Sequence, residues 1–187
     1  MKIYSPVHQL GVTLLRIIVG VIFLWAGLAK WLGSGAEGFS AAGFLKFGTA
    51  GSMGWPFASG EAAEGVVYNP TQGFWLGLAA NEGLMQVINF LVVFGQIAIG
   101  IALIVGLFTR FAACMGALQM GFFFLSAWDF AHGIANQHLT YLVVLLAVAG
   151  LGAGKYYGLD GYLSGRMGPA LRRYFMSGEP AAVGAAA

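Results

Sequence analysis

Charge is what this chain has least of. Only 9% of its 187 residues are Asp, Glu, Lys or Arg, where a soluble domain carries roughly a quarter. The net charge is +2, and no block of basic residues offers a nucleic acid a surface. Cysteine is down to Cys114, which excludes an internal disulfide and a CxxC thiol pair and reads as a small packing residue. The three histidines form no zinc-spaced cluster with carboxylates. His132 and His138 flank one short turn, a poor arrangement for a bis-histidine haem. There is no P-loop and no dinucleotide fingerprint. No tightly bound cofactor and no metal is expected. What fills the chain instead is apolar: 59% hydrophobic residues and a mean hydropathy of +0.80. That composition describes a multi-pass integral protein of the cell membrane, with the lipid bilayer as its first partner.

Four stretches can cross a hydrocarbon layer of about 30 Å, at roughly 9–31, 84–107, 109–131 and 136–154. The first is long, carries Arg16 and lacks an A-x-A cleavage pattern, so it reads as an uncleaved span. Segment 32–83 is a loop in which AAGFLKF (41–47) and QGFWLGLAA (72–80) are expected as short interfacial helices. A loop of this length serves as a lid over a site or as a cover for the bundle. Lys2, Arg110, Lys155, Arg166, Arg172 and Arg173 fall on one side of a four-span chain. The loop holds Lys46 against Glu37, Glu61, Glu64 and Glu82. The positive-inside rule then puts both termini in the cytoplasm and the loop outside. The expected fold is an all-α, four-transmembrane-helix bundle forming one domain over 1–163. A cytoplasmic interfacial tail follows over 164–187, disordered at its end.

Two polar stripes mark the first two spans. Gln9, Thr13, Arg16, Gly20, Phe23, Gly27 and Lys30 recur at steps of four and three, and so do Glu82, Gln86, Asn89, Val93, Gln96 and Gly100. A charge in hydrocarbon is costly, so these faces should turn toward protein or a wet cavity. If both point inward, a polar groove runs between them, to which Asn136 and Thr140 could add. Small residues at four-residue spacing (Ala98, Ala102, Gly106 and Ala113, Ala117, Gly121) suggest that the second and third spans pack as an antiparallel hairpin. Near the outer ends lie Lys30, Glu82, Asp129, His132 and His138, beside Trp128. Together with Arg16 and Gln96 they are the candidates for holding a quinone head or a small anion. The alternative for the same residues is an aromatic belt with headgroup-facing polar groups, with Arg16 snorkelling to the interface.

The segment LLRIIVGVIFLWAGLAKW resembles the opening span of the DoxX/DoxD family. GQIAIGIALIVGLFTRFAACMGAL, with its G-L-F-T-R turn, and AGLGAGKYYGLDGYL, with Gly-Leu-Asp after the last span, are similar to the family's middle and close. The long loop is more like the DoxD branch, the small subunit of a thiosulfate:quinone oxidoreductase. The resemblance runs over about 10–163, and its matching positions are Arg16, Gly20, Gly27, Lys30, Gly100, Gly106, Arg110 and Asp160. It implies a four-span membrane subunit of a quinone-linked oxidoreductase, with a second subunit at the outer face. Many relatives carry Glu where this chain has Gln96, and a neutral amide cannot exchange a proton. The competing readings are a non-catalytic membrane anchor or assembly subunit and a small permeation path. Four spans without inverted repeats disfavour the last. Whether the chain oligomerises is left open.

Overall fold

A computed structural model describes residues 6–33, 38–48, 69–128 and 136–176. Asp129, His132, most of the loop and the chain's end, expected to be disordered, lie outside the described residues. Eight α-helices and no strand occur among the described residues: α1 (Pro6–Gly33), α2 (Ala42–Gly48), α3 (Gln72–Ala79), α4 (Glu82–Val105), α5 (Thr109–Ala127), α6 (Gln137–Gly150), α7 (Leu159–Leu163) and α8 (Pro169–Phe175). The two short loop helices expected from sequence are α2 and α3.

Helices α1, α4 and α5 are long and apolar enough to cross a membrane. Helix α6 is apolar but has 14 residues, about 21 Å of rise. The stretch expected as a fourth span therefore breaks early. Gly152 takes a left-handed φ of 65° and a 3-10 turn, Ala153–Lys155, follows. A glycine in that conformation ends a helix at no steric cost. Trp25, Phe90, Phe122 and Val143 stand on the outside of the bundle, a distribution that suits a hydrocarbon surround.

The polar stripe of α1 is enclosed, with Thr13, Arg16, Gly20, Phe23 and Gly27 buried. The stripe of α4 is buried only from Val93 to Gly100, while Glu82 and Gln86 are exposed. Where the two stripes meet they make a closed seam, not a polar channel. A Cβ on Gly27 would stand 2.9 Å from the Ile97 nitrogen and 3.0 Å from the Val93 carbonyl oxygen. One on Gly100 would stand 2.5 Å from the Leu24 nitrogen. Backbones this close gain dispersion along the whole crossing, which is how helices associate without a hydrophobic driving force.

That seam takes α4 away from the hairpin expected with α5. Helix α5 lies mainly along α6, where Gly116 and Gly121 face Leu145 and Leu142. Ala98 and Ala102 line an open groove, Ala102 also packing on the bundle core. Cys114, expected as a packing residue, is exposed. Asn136 is spent on capping α6, its side chain accepting from the His138 and Leu139 amides, and Thr140 is exposed. The bundle is thus two tight pairs, α1/α4 and α5/α6, sharing a core of Val19, Phe23, Leu103, Ala113, Leu145 and Val148.

Gly27→Ala is expected to destabilise the purified protein by about 1–3 kcal/mol, the usual cost of overpacking. Gly11→Ala, whose Cβ meets nothing within 4 Å, serves as the control. Thermal unfolding in detergent should show a lower Tm for the first variant and an unchanged one for the second. Equal melting points would mean that the seam is not tight.

Candidate functional site

The bundle has a loop end, carrying α2 and α3, and a tail end, carrying α7 and α8. Arg16 and Lys30 lie 14 residues apart on α1, about 21 Å of axis, so they belong to opposite ends.

The loop end is built by side chains that tie the loop down. The Ala41 amide donates to Asn89 Oδ1 at 2.8 Å. Buried Asn69 donates from Nδ2 to the Leu125 and Ser126 carbonyls, at 2.9 and 3.0 Å, where α5 ends. The same amide's oxygen receives the Thr71 N–H and hydroxyl, and the Thr71 hydroxyl accepts from Trp75 Nε1 at 2.8 Å. These bonds seat Leu45, Trp75 and Ala79 on Met85 and Ile88. Phe44 of α2 is thereby brought against Phe123 and His138. The three rings meet pairwise, Phe44–Phe123 at 5.5 Å, Phe44–His138 at 5.8 Å edge-on and Phe123–His138 at 5.5 Å edge-on.

Lys30 ends α1 beside this cluster. Its Nζ donates to the Ala26 carbonyl at 3.1 Å and stands 5.9 Å from the Phe39 ring. It is close enough to His138 for their charges to interact. Lys30 and His138, both half-buried, are therefore the sequence candidates that the fold brings within electrostatic reach of each other. Glu82 is exposed in the first turn of α4. Gln96 is buried deeper, along the α1/α4 seam, and its Oε1 has no hydrogen-bond partner among the described residues. Phe39, beside Lys30, and Phe44 and Phe123, against His138, are positions that sequence reasoning did not single out. Their only signal was the aromatic richness of the loop and of GFFFLSAWDF.

Beside the aromatic cluster a groove of about 650 Å³ runs between α4 and α5. Phe44, Leu45 and Trp75 line it at the loop end, Phe108 and Phe111 at the other. Its volume falls within the range of small-molecule sites, and its lining is overwhelmingly apolar.

At the tail end Arg16 is completely buried. Its Nη1 donates to the Ala153 carbonyl at 3.2 Å and its Nη2 to the Tyr157 carbonyl at 3.3 Å. Side chains at Gly106 and Gly158 would collide with the guanidinium. Arg16 thus pins residues 153–158 to α1 and does not snorkel. Asp160, equally buried, is attracted by that charge. Its carboxylate accepts the Phe108 and Thr109 amides at 2.7 and 2.9 Å. Helix α5 begins after Phe108, which has no side-chain acceptor of its own. The carboxylate from 52 residues away supplies the missing cap and opposes the positive end of the helix dipole. The Asp160 amide completes the clasp by donating to the Gly106 carbonyl at 2.8 Å. This is structural work, remote from Lys30.

Three helices long and apolar enough to cross a membrane, with an apolar groove between α4 and α5, define a membrane-type helical protein. The chain belongs to the DoxX family, whose model matches residues 11–133. That stretch contains the α1/α4 seam, the described parts of the loop, the groove and Arg16, while His138 and Asp160 fall beyond it. No curated protein and no solved structure matches the chain. The family points to a membrane protein with a link to oxidoreductase chemistry.

Asp160→Ala is expected to cost about 1.5–3 kcal/mol, the worth of hydrogen bonds to a buried charge. Arg16→Met should cost a similar amount. Because the two groups share one network, the double variant should fall short of the sum. Detergent unfolding of the four proteins measures this, and strict additivity would refute the shared clasp.

Proposed function

We propose that this protein is the membrane subunit of a quinone-linked oxidoreductase, and that a quinone head binds at the loop end between Lys30 and His138. The observation that carries the reading is that His138 packs edge-on against the Phe44 and Phe123 rings at the loop end, within electrostatic reach of Lys30. A quinone carbonyl needs one or two donors in an otherwise apolar slot reached from lipid. Lys30 offers an ammonium and His138 an imidazole, and Phe44 and Phe123 supply faces against which a flat ring packs.

In this reading the chain crosses the membrane four times, α6 spanning with the turn that follows it, both termini are cytoplasmic and the loop is outside. The resemblance to the DoxD branch suggests thiosulfate as the electron source, oxidised by a second subunit at the outer face. Two thiosulfate ions join through a new S–S bond as tetrathionate and release two electrons. The quinone takes those electrons with two protons and leaves as quinol. The alternative is a non-catalytic four-span anchor in such a complex, and Gln96 favours it. Where many relatives carry a carboxylate, this chain has an amide that moves no proton.

Quinone added to the detergent-purified protein is expected to raise its Tm, as a ligand of the folded state does. Lys30→Ala and His138→Phe should each weaken quinone binding about tenfold, the loss of a hydrogen bond of about 1.4 kcal/mol. The phenylalanine keeps the ring contacts with Phe44 and Phe123 and removes only the nitrogens. If no quinone shifts the wild-type melting point, the anchor reading stands in its place.

A further inference from the structure

Cations collect at the tail end without carboxylates to match them. Arg110, Lys155, Arg166, Arg172 and Arg173 stand there, while Asp160, the one carboxylate among the described residues of that end, is buried and committed to the Phe108 and Thr109 amides. We propose that this end is a docking surface for anionic phospholipid headgroups, with Lys155, Arg166 and Arg173 as the side chains that meet the phosphates. Such a surface would serve a catalytic subunit and an anchor alike.

The cations divide by what they hold. Arg110, in the first turn of α5, donates from Nη1 to the Arg173 carbonyl at 2.8 Å, and half-buried Arg172 donates from Nη1 to the Ser164 carbonyl at 3.3 Å. Phe175 packs its ring on those of Phe111 and Phe108, at 5.1 and 6.4 Å, and Met176 beside it is completely buried. Helix α8 is thus a fixed strut across the start of α5. Helix α7 is fixed in turn against the 3-10 turn, since a Cβ on Gly161 would stand 2.6 Å from the Lys155 carbonyl oxygen. Arg110 and Arg172 are used in building this base. Lys155, Arg166 and Arg173 are left exposed on it.

Depth and neighbours make the occupant a leaflet. Helices α1, α4 and α5, the ones suited to hydrocarbon, each have an end here, so these side chains stand where acyl chains give way to headgroups. Tyrosines are interleaved with the cations, and Tyr157, Tyr162 and Tyr174 are each at least 65% exposed. The Arg166 guanidinium lies 4.6 Å from the centre of the Tyr162 ring and donates to its hydroxyl at 2.9 Å. That of Arg173 lies 5.7 Å from the centre of the Tyr174 ring. A ring with a polar tip suits the membrane interface, and an arginine laid on it keeps further N–H groups for a phosphate. An acidic soluble partner would match the charge alone. A leaflet matches the charge, the rings and the depth.

The test offers the full chain, in neutral detergent, an equal mixture of phosphatidylglycerol and phosphatidylcholine with identical acyl chains. Native mass spectrometry counts which lipid stays bound. Each exposed cation should contribute roughly threefold once salt screens it, so the wild type should favour the anionic lipid roughly thirtyfold. Lys155→Gln, Arg166→Gln and Arg173→Gln should each lower that ratio roughly threefold, and all three together should bring it near parity. Lys46→Gln removes a charge from the loop end and should leave the ratio unchanged. Added salt should erode it. Equal retention of the two lipids by the wild type, a readout that needs no variant to fold, would overturn the proposal. A triple variant that keeps the wild-type ratio would overturn the assignment to these side chains. Displacement of the bound lipid by glycerol phosphate or by polyglutamate would make this a site for free phosphate or for an acidic protein, and would overturn the leaflet as its partner.

Discussion

The structure turns on one buried cation. Arg16 lies on a helix suited to hydrocarbon, where an unpaired charge is untenable, and the chain answers by wrapping residues 153–158 over it. The Ala153 and Tyr157 carbonyls accept its hydrogen bonds, and Asp160 adds electrostatic attraction. Once that segment is wrapped, Asp160 is delivered to the start of α5, and the α4–α5 turn is fixed from a distance. Arg16, Gly106, Gly158 and Asp160 are thus parts of one clasp. Charge and small residues appear together here because the guanidinium needs space that only glycine leaves.

The second constraint is how closely helices approach. Glycines at 20, 27 and 100 let α1 and α4 touch backbone to backbone. Helix α5, lacking such a seam with α4, settles on α6. The groove is the consequence of this unequal pairing, and the loop helices close its loop end. The same choice that tightens α1 against α4 leaves a trough between α4 and α5.

Much of this was legible in the chain. Composition gave the membrane class. The three-and-four spacing of Thr13, Arg16, Gly20 and Gly27 gave a buried face on α1, and the loop helices were visible in their aromatic segments. The partners of those faces were not legible. Arg16 could equally have snorkelled, and its companions lie some 140 residues downstream. The alanine ridges of the second and third spans gave a false lead, because small residues permit close packing without specifying which neighbour takes the place. Of the candidates expected near the loop end, Lys30 and His138 lie within electrostatic reach of each other and Glu82 is exposed, a distinction that depends on helix rotation.

Sequence by itself determined that helices would form, that the chain is greasy enough for a membrane and which α1 face must be hidden. These follow from local periodicity and the cost of placing charge in hydrocarbon. Only the tertiary structure decided that the fourth expected span breaks early, which pairs pack tightly, where the groove falls, and that Arg16 serves the fold. Those outcomes depend on which backbones approach most closely, a competition among distant segments that no local pattern encodes.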